Sequence, residues 1–180
     1  MKKIMISALS LLLLLAMLAG CGAANNTPST GNTPAPTPEV TPEPTPEPTP
    51  EPVDLAAFIA GLGEKYEMPM MGEMDSEMID AFYPGLTEIE TIQRQGQMAM
   101  MSAVAAEIML VECANEADAA AVAEILEGRK TMQVDGGAWY PETIAAWEKT
   151  QILTNGAYVA LICFGDNTDA IAADYQALFN

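Results

Sequence analysis

Residues 105–129, AAEIMLVECANEADAAAVAEILEGR, decide how this chain folds. Ala105–Cys113 is an apolar run of strand length, the stronger strand of its unit. From Asn115 the apolar residues recur at helical spacing, with Ala121, Val122, Ile125 and Leu126 on one face up to Arg129. Asn115 can cap that helix, and Asp118 three residues on sits near its positive end.

The same handover from strand to helix returns at the C-terminus. Thr150–Thr154 and Ala157–Phe164 flank Asn155-Gly156, a pair that favours a type I′ hairpin. A last helix, Asp166–Phe179, carries Ile171, Tyr175, Leu178 and Phe179 on one stripe. Setting Asp118 on Asp169 matches Ile108, Leu110 and Val111 with Val159, Leu161 and Ile162, and Asp166 then stands in for Asn115 as the cap. Glu88–Gln95, a strand running through Gly96 and a Met-rich stretch into Ala105–Cys113, completes the first unit.

Two N-terminal helices precede this pattern. Asp54 caps one, with Leu55, Phe58, Ile59, Leu62 and Tyr66 on its inner face. The second runs over Ser76–Phe82 and stops before Pro84-Gly85. The expected fold is α+β: a four-stranded, mainly antiparallel sheet from two strand–strand–helix units, with the N-terminal helices packed on it.

Residues 53–180 form that globular domain, and two segments of different character precede it. Residues 1–20 have a charged start at Lys2-Lys3, an apolar run Ile4–Leu18 and a close of small residues. That run is short for a bilayer span of roughly 20 residues. Leu18-Ala19-Gly20-Cys21 resembles the lipobox of bacterial lipoproteins. The resemblance implies cleavage before Cys21 and acylation of its thiol. Each buried acyl methylene contributes about 0.8 kcal/mol, so two or three chains anchor firmly at the outer face of a membrane. Residues 21–52 then hold the lipidated cysteine and a tether with ten of the 13 prolines and a Thr-Pro-Glu-Pro register at Thr41, Thr45 and Thr49. Proline fixes φ and drives its predecessor out of the helical region, so the tether reads as polyproline II. It serves best as a spacer kept extended by its glutamates, with a ligand for a proline-binding groove or a glycosylated stalk as the sharper readings.

Composition narrows the chemistry. The 180 residues include no histidine, which excludes imidazole bases, Ser-His-Asp and Cys-His catalysis, and His-ligated zinc. Seven Lys and Arg against 25 Asp and Glu, a net charge of -18, argue against nucleic acid as a partner. Carboxylate pairs such as Glu73/Asp75 and Glu88/Glu90 are unremarkable in so acidic a chain, and no stretch fits a calcium-binding loop. Ser76 and Ser102 are the domain's only serines and have no base beside them in sequence.

Methionine is the unusual residue. Met68, Met70, Met71 and Met74 cluster, as do Met98, Met100 and Met101. Thioethers suit Cu(I), so these seven are candidate soft-metal ligands; the alternative is an adaptable apolar filler or contact surface. Trp139 and Tyr140 are candidate stacking residues for a sugar or peptide, or satellite core before the Pro141 turn. Arg129, beside Lys130, is a candidate for an anionic ligand or a complement to its helix dipole. Cys113 and Cys163 end apolar strands and read as buried free thiols, although export would permit a disulfide.

Ala106-Glu107-Ile108 opening a strand, Arg129 closing the next helix, Tyr140-Pro141-Glu142, and Gly156-Ala157-Tyr158-Val159 entering the last strand carry one further resemblance. Over most of Leu55–Phe179 the chain is similar to a family of bacterial, mostly Firmicute, lipoproteins called domain of unknown function 4358. The resemblance implies the lipobox–tether–domain layout and brings no activity, cofactor or catalytic residue. The expectation is an extracytoplasmic, lipid-anchored, non-catalytic binding or interaction module of the cell envelope, without a cofactor and with an envelope protein as a possible partner. A Cu(I) or small-ligand binder is the alternative.

Overall fold

A computed structural model describes residues 52–180. The leader, Cys21 and the tether up to Glu51 lie outside the described residues. In chain order the elements are α1 (Leu55–Lys65), β1 (Met71–Glu73), α2 (Ser76–Phe82), β2 (Thr91–Ala99), β3 (Glu107–Cys113), α3 (Glu116–Met132), α4 (Pro141–Glu148), β4 (Gln151–Asn155), β5 (Tyr158–Cys163) and α5 (Thr168–Gln176). The strands form one antiparallel sheet in the order β1-β2-β3-β5-β4. The fold is α+β as expected, with five strands where four were expected.

The sequence of β3 explains its central place. All seven of its residues are buried, and alternation sends them to two separate cores. Met109, Val111 and Cys113 join Val159, Leu161 and Cys163 of β5 beneath α2, α3 and α4. Ile108 and Leu110 join Ala160 and Ile162 beneath α1 and α5. The sheet is therefore a middle layer with helices on both faces. Glu112 on the α1 side is held by Gln93 (2.6 Å) and Tyr158 (2.7 Å). Gln93 also bonds Val53 and Leu55, fastening the start of α1 to the sheet.

Several local expectations hold. Asp54 caps α1 by accepting from the Ala57 amide at 2.9 Å, and Asp75 caps α2 in the same way. Asn115 accepts from Asp118 at the start of α3. The β4–β5 hairpin forms as expected, but one residue later: Asn155 pairs with Tyr158 and the turn is Gly156-Ala157 rather than Asn155-Gly156, with Gly156 at φ +56° in the left-handed region.

Others are corrected. β2 begins at Thr91 and continues to Ala99, because Gly96 does not break it. A Cβ at Gly96 would meet Met109 Cε at 2.6 Å, so the glycine admits a core methionine against a continuous strand. β1 exists because Met71, Gly72 and Glu73 pair with Ala99, Met98 and Gln97; three residues carry no strand pattern of their own. α4 was not anticipated, although Pro141 at its first position marks a helix start. Asp166 does not cap α5 but pairs with Lys149 at 2.7 Å; Thr168 accepts from the Phe164 amide instead. Ala121 is exposed, and Ala119 and Arg129 take the inner face of α3. The last helix is shorter than expected: α5 ends at Gln176, and Leu178 falls in the tighter turn Ala177–Phe179 beyond it, where it is exposed.

Candidate functional site

A cleft of about 350 Å³ opens on the α3 face of the sheet, where the ends of β2 and β3 meet the C-terminal end of α3 and the start of α4. Its floor is a buried ion pair. Arg129 donates from Nε to Glu107 Oε1 at 2.9 Å and from Nη2 to Oε2 at 2.7 Å. The Tyr83 hydroxyl donates to the same Oε1. Glu107 is 2% exposed and Arg129 4%. The guanidinium lies 4.5 Å from the Phe82 ring centroid, 5.3 Å from that of Trp147 and 5.9 Å from that of Tyr83. A planar cation of this kind is suited at once to a carboxylate in its plane and to rings across its faces.

The electrostatics follow from that packing. Burial works against the Arg129 charge, but the bonds and field of Glu107 outweigh it and hold the guanidinium above its ordinary value. Burial, reinforced by Glu107, drives the Tyr83 phenol well above its ordinary value. The floor is a locked, mutually neutralised cluster. Arg129 Nη1 takes no part in the pair with Glu107.

The mouth is different. Beyond α3 the chain makes a wide turn over Gln133–Gly137, closed by Ala138 N on Gln133 O at 2.9 Å. Trp139 and Tyr140 follow, and Thr143 fixes the start of α4 through bonds to the Tyr140 backbone. Trp139 is 85% exposed and Tyr140 51%, so neither is satellite core. Met98, half-buried, and Met101, exposed, also line the cleft.

The candidates named from sequence are thus partly assembled. Arg129, Trp139, Tyr140, Met98 and Met101 share the cleft. Arg129 is buried on Glu107 and is not a free anion receptor at the helix end; Lys130 donates to the Thr150 carbonyl. The other methionines are divided by the sheet. Met74 and Met98 pack in the α3-side core, Met68 and Met71 in the α1-side core. Met70 and Met100 are exposed at the β1 edge, with Met100 lying across Gly72. No group of three or more His, Cys, Asp or Glu that could hold a metal occurs among the described residues.

Cys113 and Cys163 are free and buried. Their strands are neighbours, but antiparallel pairing sets Cys163 opposite Glu107 and Cys113 beside Ala157 at the other end. Six strand residues separate them, about 20 Å, far beyond disulfide reach. Burial pushes the Cys163 thiol up to about 11. Glu107, Tyr83, Phe82 and Trp147 were missed as site residues. A carboxylate opening an otherwise apolar buried strand was the available pointer, because such a group requires a partner.

No helix among the described residues is long and apolar enough to cross a membrane. No curated protein and no solved structure matches the chain. The family model described as domain of unknown function (DUF4358) matches residues 64–164, which include the floor and mouth of the cleft. That match spans more than half of the 180 residues, and the chain belongs to the DUF4358 family.

Proposed function

We propose that this protein is a bacterial lipoprotein, held at the outer face of a membrane by acyl chains on Cys21, whose domain is a non-catalytic binding module of the cell envelope. The cleft carries the binding half of this reading. It combines exposed aromatic and thioether groups at its mouth with a floor whose carboxylate is already satisfied. A pocket that is apolar with a few fixed polar groups suits recognition. Its one carboxylate is committed to Arg129 and Tyr83, an arrangement that favours rigidity over proton transfer. The Leu-Ala-Gly-Cys sequence ending at Cys21 supports the anchor, and the proline-rich segment gives the domain reach away from the lipid surface.

Each half has its own test. Metabolic labelling with a fatty acid should mark the wild-type chain and leave Cys21→Ser unlabelled; equal labelling of both rejects the anchor. Small apolar fragments that do not themselves emit in the tryptophan range, such as cyclohexanol and isoamyl alcohol, should shift tryptophan emission saturably by contact with Trp139. A flat response to every fragment rejects the cleft as a binding site.

A further inference from the structure

We infer that the occupant of the cleft is a basic, amphipathic polypeptide segment of a partner, which places one apolar side chain between Trp139 and Met101 and its Lys and Arg on the surrounding acidic surface. This rests on the cleft being the binding site. Three observations select the chemistry. The first is charge: residues 53–180 carry five basic and 21 acidic residues, a net of -16. The cations present are largely occupied. Lys65 and Lys149 pair with Asp174 and Asp166, Lys130 is on a carbonyl and Arg129 on Glu107; Arg94 does not line the cleft. Asp135, in the turn that supplies Gln133 and Gly137, and Glu142, just after Tyr140, are exposed beside the mouth. A cationic ligand is steered to such a surface and an anionic one is repelled.

The second observation is the rim. Met101 lines the mouth, Met100 precedes it in the chain, and the Met100 amide bonds the Met70 carbonyl at 2.9 Å, so exposed thioethers extend from the cleft to the β1 edge. Flexible, polarizable side chains of this kind accommodate apolar anchors of varied shape. The third is Arg129 Nη1, outside the Glu107 pair on a side chain that lines the cleft, where a peptide carbonyl could accept from it. A sugar would use the aromatic rings but would draw nothing from the charge or the thioethers.

The test is calorimetric titration of the full chain in zwitterionic nanodiscs, with empty discs as the blank. The probes are a short Leu/Lys amphipathic peptide amide, its Leu/Gln and Leu/Glu counterparts, and chitotetraose. Stoichiometric binding of the Leu/Lys peptide is expected, weakened about tenfold by Trp139→Ala or Met101→Ser and by a rise from about 0.05 M to about 0.5 M salt. Equal binding of the Leu/Gln peptide, preference for chitotetraose, no binding of the Leu/Lys peptide, or Leu/Lys binding indifferent to both substitutions would each overturn the inference. A fragment response at Trp139 that survives those outcomes leaves the cleft as a binding site and rejects only its basic occupant.

Discussion

Arg129 and Glu107, 22 residues apart in the chain, meet in a two-pronged ion pair that is almost wholly shielded from water. One residue lies in the last turn of the long helix α3 and the other opens the central strand β3. Their pairing therefore fixes the end of the helix to the sheet and, with it, the shape of the cleft above.

Breaking this pair from one side should cost more than removing it. Arg129→Met leaves Glu107 charged and buried, and is expected to destabilise the domain by about 3–5 kcal/mol. Glu107→Leu alone orphans both the guanidinium and the Tyr83 hydroxyl. The triple variant Glu107→Leu, Arg129→Met, Tyr83→Phe removes all three polar partners and should be more stable than Arg129→Met. Urea unfolding measures this; additive losses across the series would refute the coupling.

Trp139 and Trp147 separate function from fold. Trp139→Ala touches an exposed ring and should change stability by no more than about 0.5 kcal/mol while removing the fragment response. Trp147, buried against Arg129 and in the α3-side core, should cost about 3–5 kcal/mol when cut to alanine. Thermal or urea unfolding of the two variants is the check, and similar losses would contradict the exposed placement of Trp139.

Gly96→Ala is expected to cost about 1–3 kcal/mol, because the new methyl displaces the buried Met109 terminus. Shortening the intruding side chain, as Met109→Val in the same background, should recover part of that loss. A double variant as unstable as the sum of the singles would show that Gly96 serves some other purpose.

The Cys163 thiol makes stability depend on alkaline pH. Its value stands at about 11 in the folded chain against 9.0 ordinarily, because of burial. The folded state holds the proton more tightly, so this stabilisation is complete below about pH 9 and is lost as the pH rises to about 11. Wild type should therefore lose stability faster than Cys163→Ala across that window in pH-dependent unfolding. At neutral pH, iodoacetamide should reach Cys113 and Cys163 only after denaturation; rapid native labelling would contradict their burial.

What the sequence disclosed was local. The Asp54 and Asn115 caps, the hairpin at Gly156 and the buried run of β3 are written in neighbouring residues, and the structure follows them. β1 was invisible because three residues become a strand only when β2 lies beside them. Gly96 misled because a glycine that makes room for Met109 looks identical to one that ends a strand. The cleft was half legible: Trp139, Tyr140, Met98, Met101 and Arg129 stood out by residue type. Its floor did not, since the union of Glu107 with Arg129 and Tyr83 is created by the packing of α2 and α3 on β3. Asp166 shows the reverse failure, a residue with capping chemistry drawn away by Lys149.

The most direct measurement is the methyl spectrum of the full chain labelled at its methionine ε-carbons, recorded while indole is added. Met98 and Met101 line the cleft, whereas Met68 and Met71 pack on the opposite face of the sheet. Saturable shifts at Met98 and Met101, with Met68 and Met71 unmoved, are the predicted result. Shifts confined to Met68 and Met71, or none at any methionine while indole reaches saturating concentration, would contradict the cleft as the place where this protein binds.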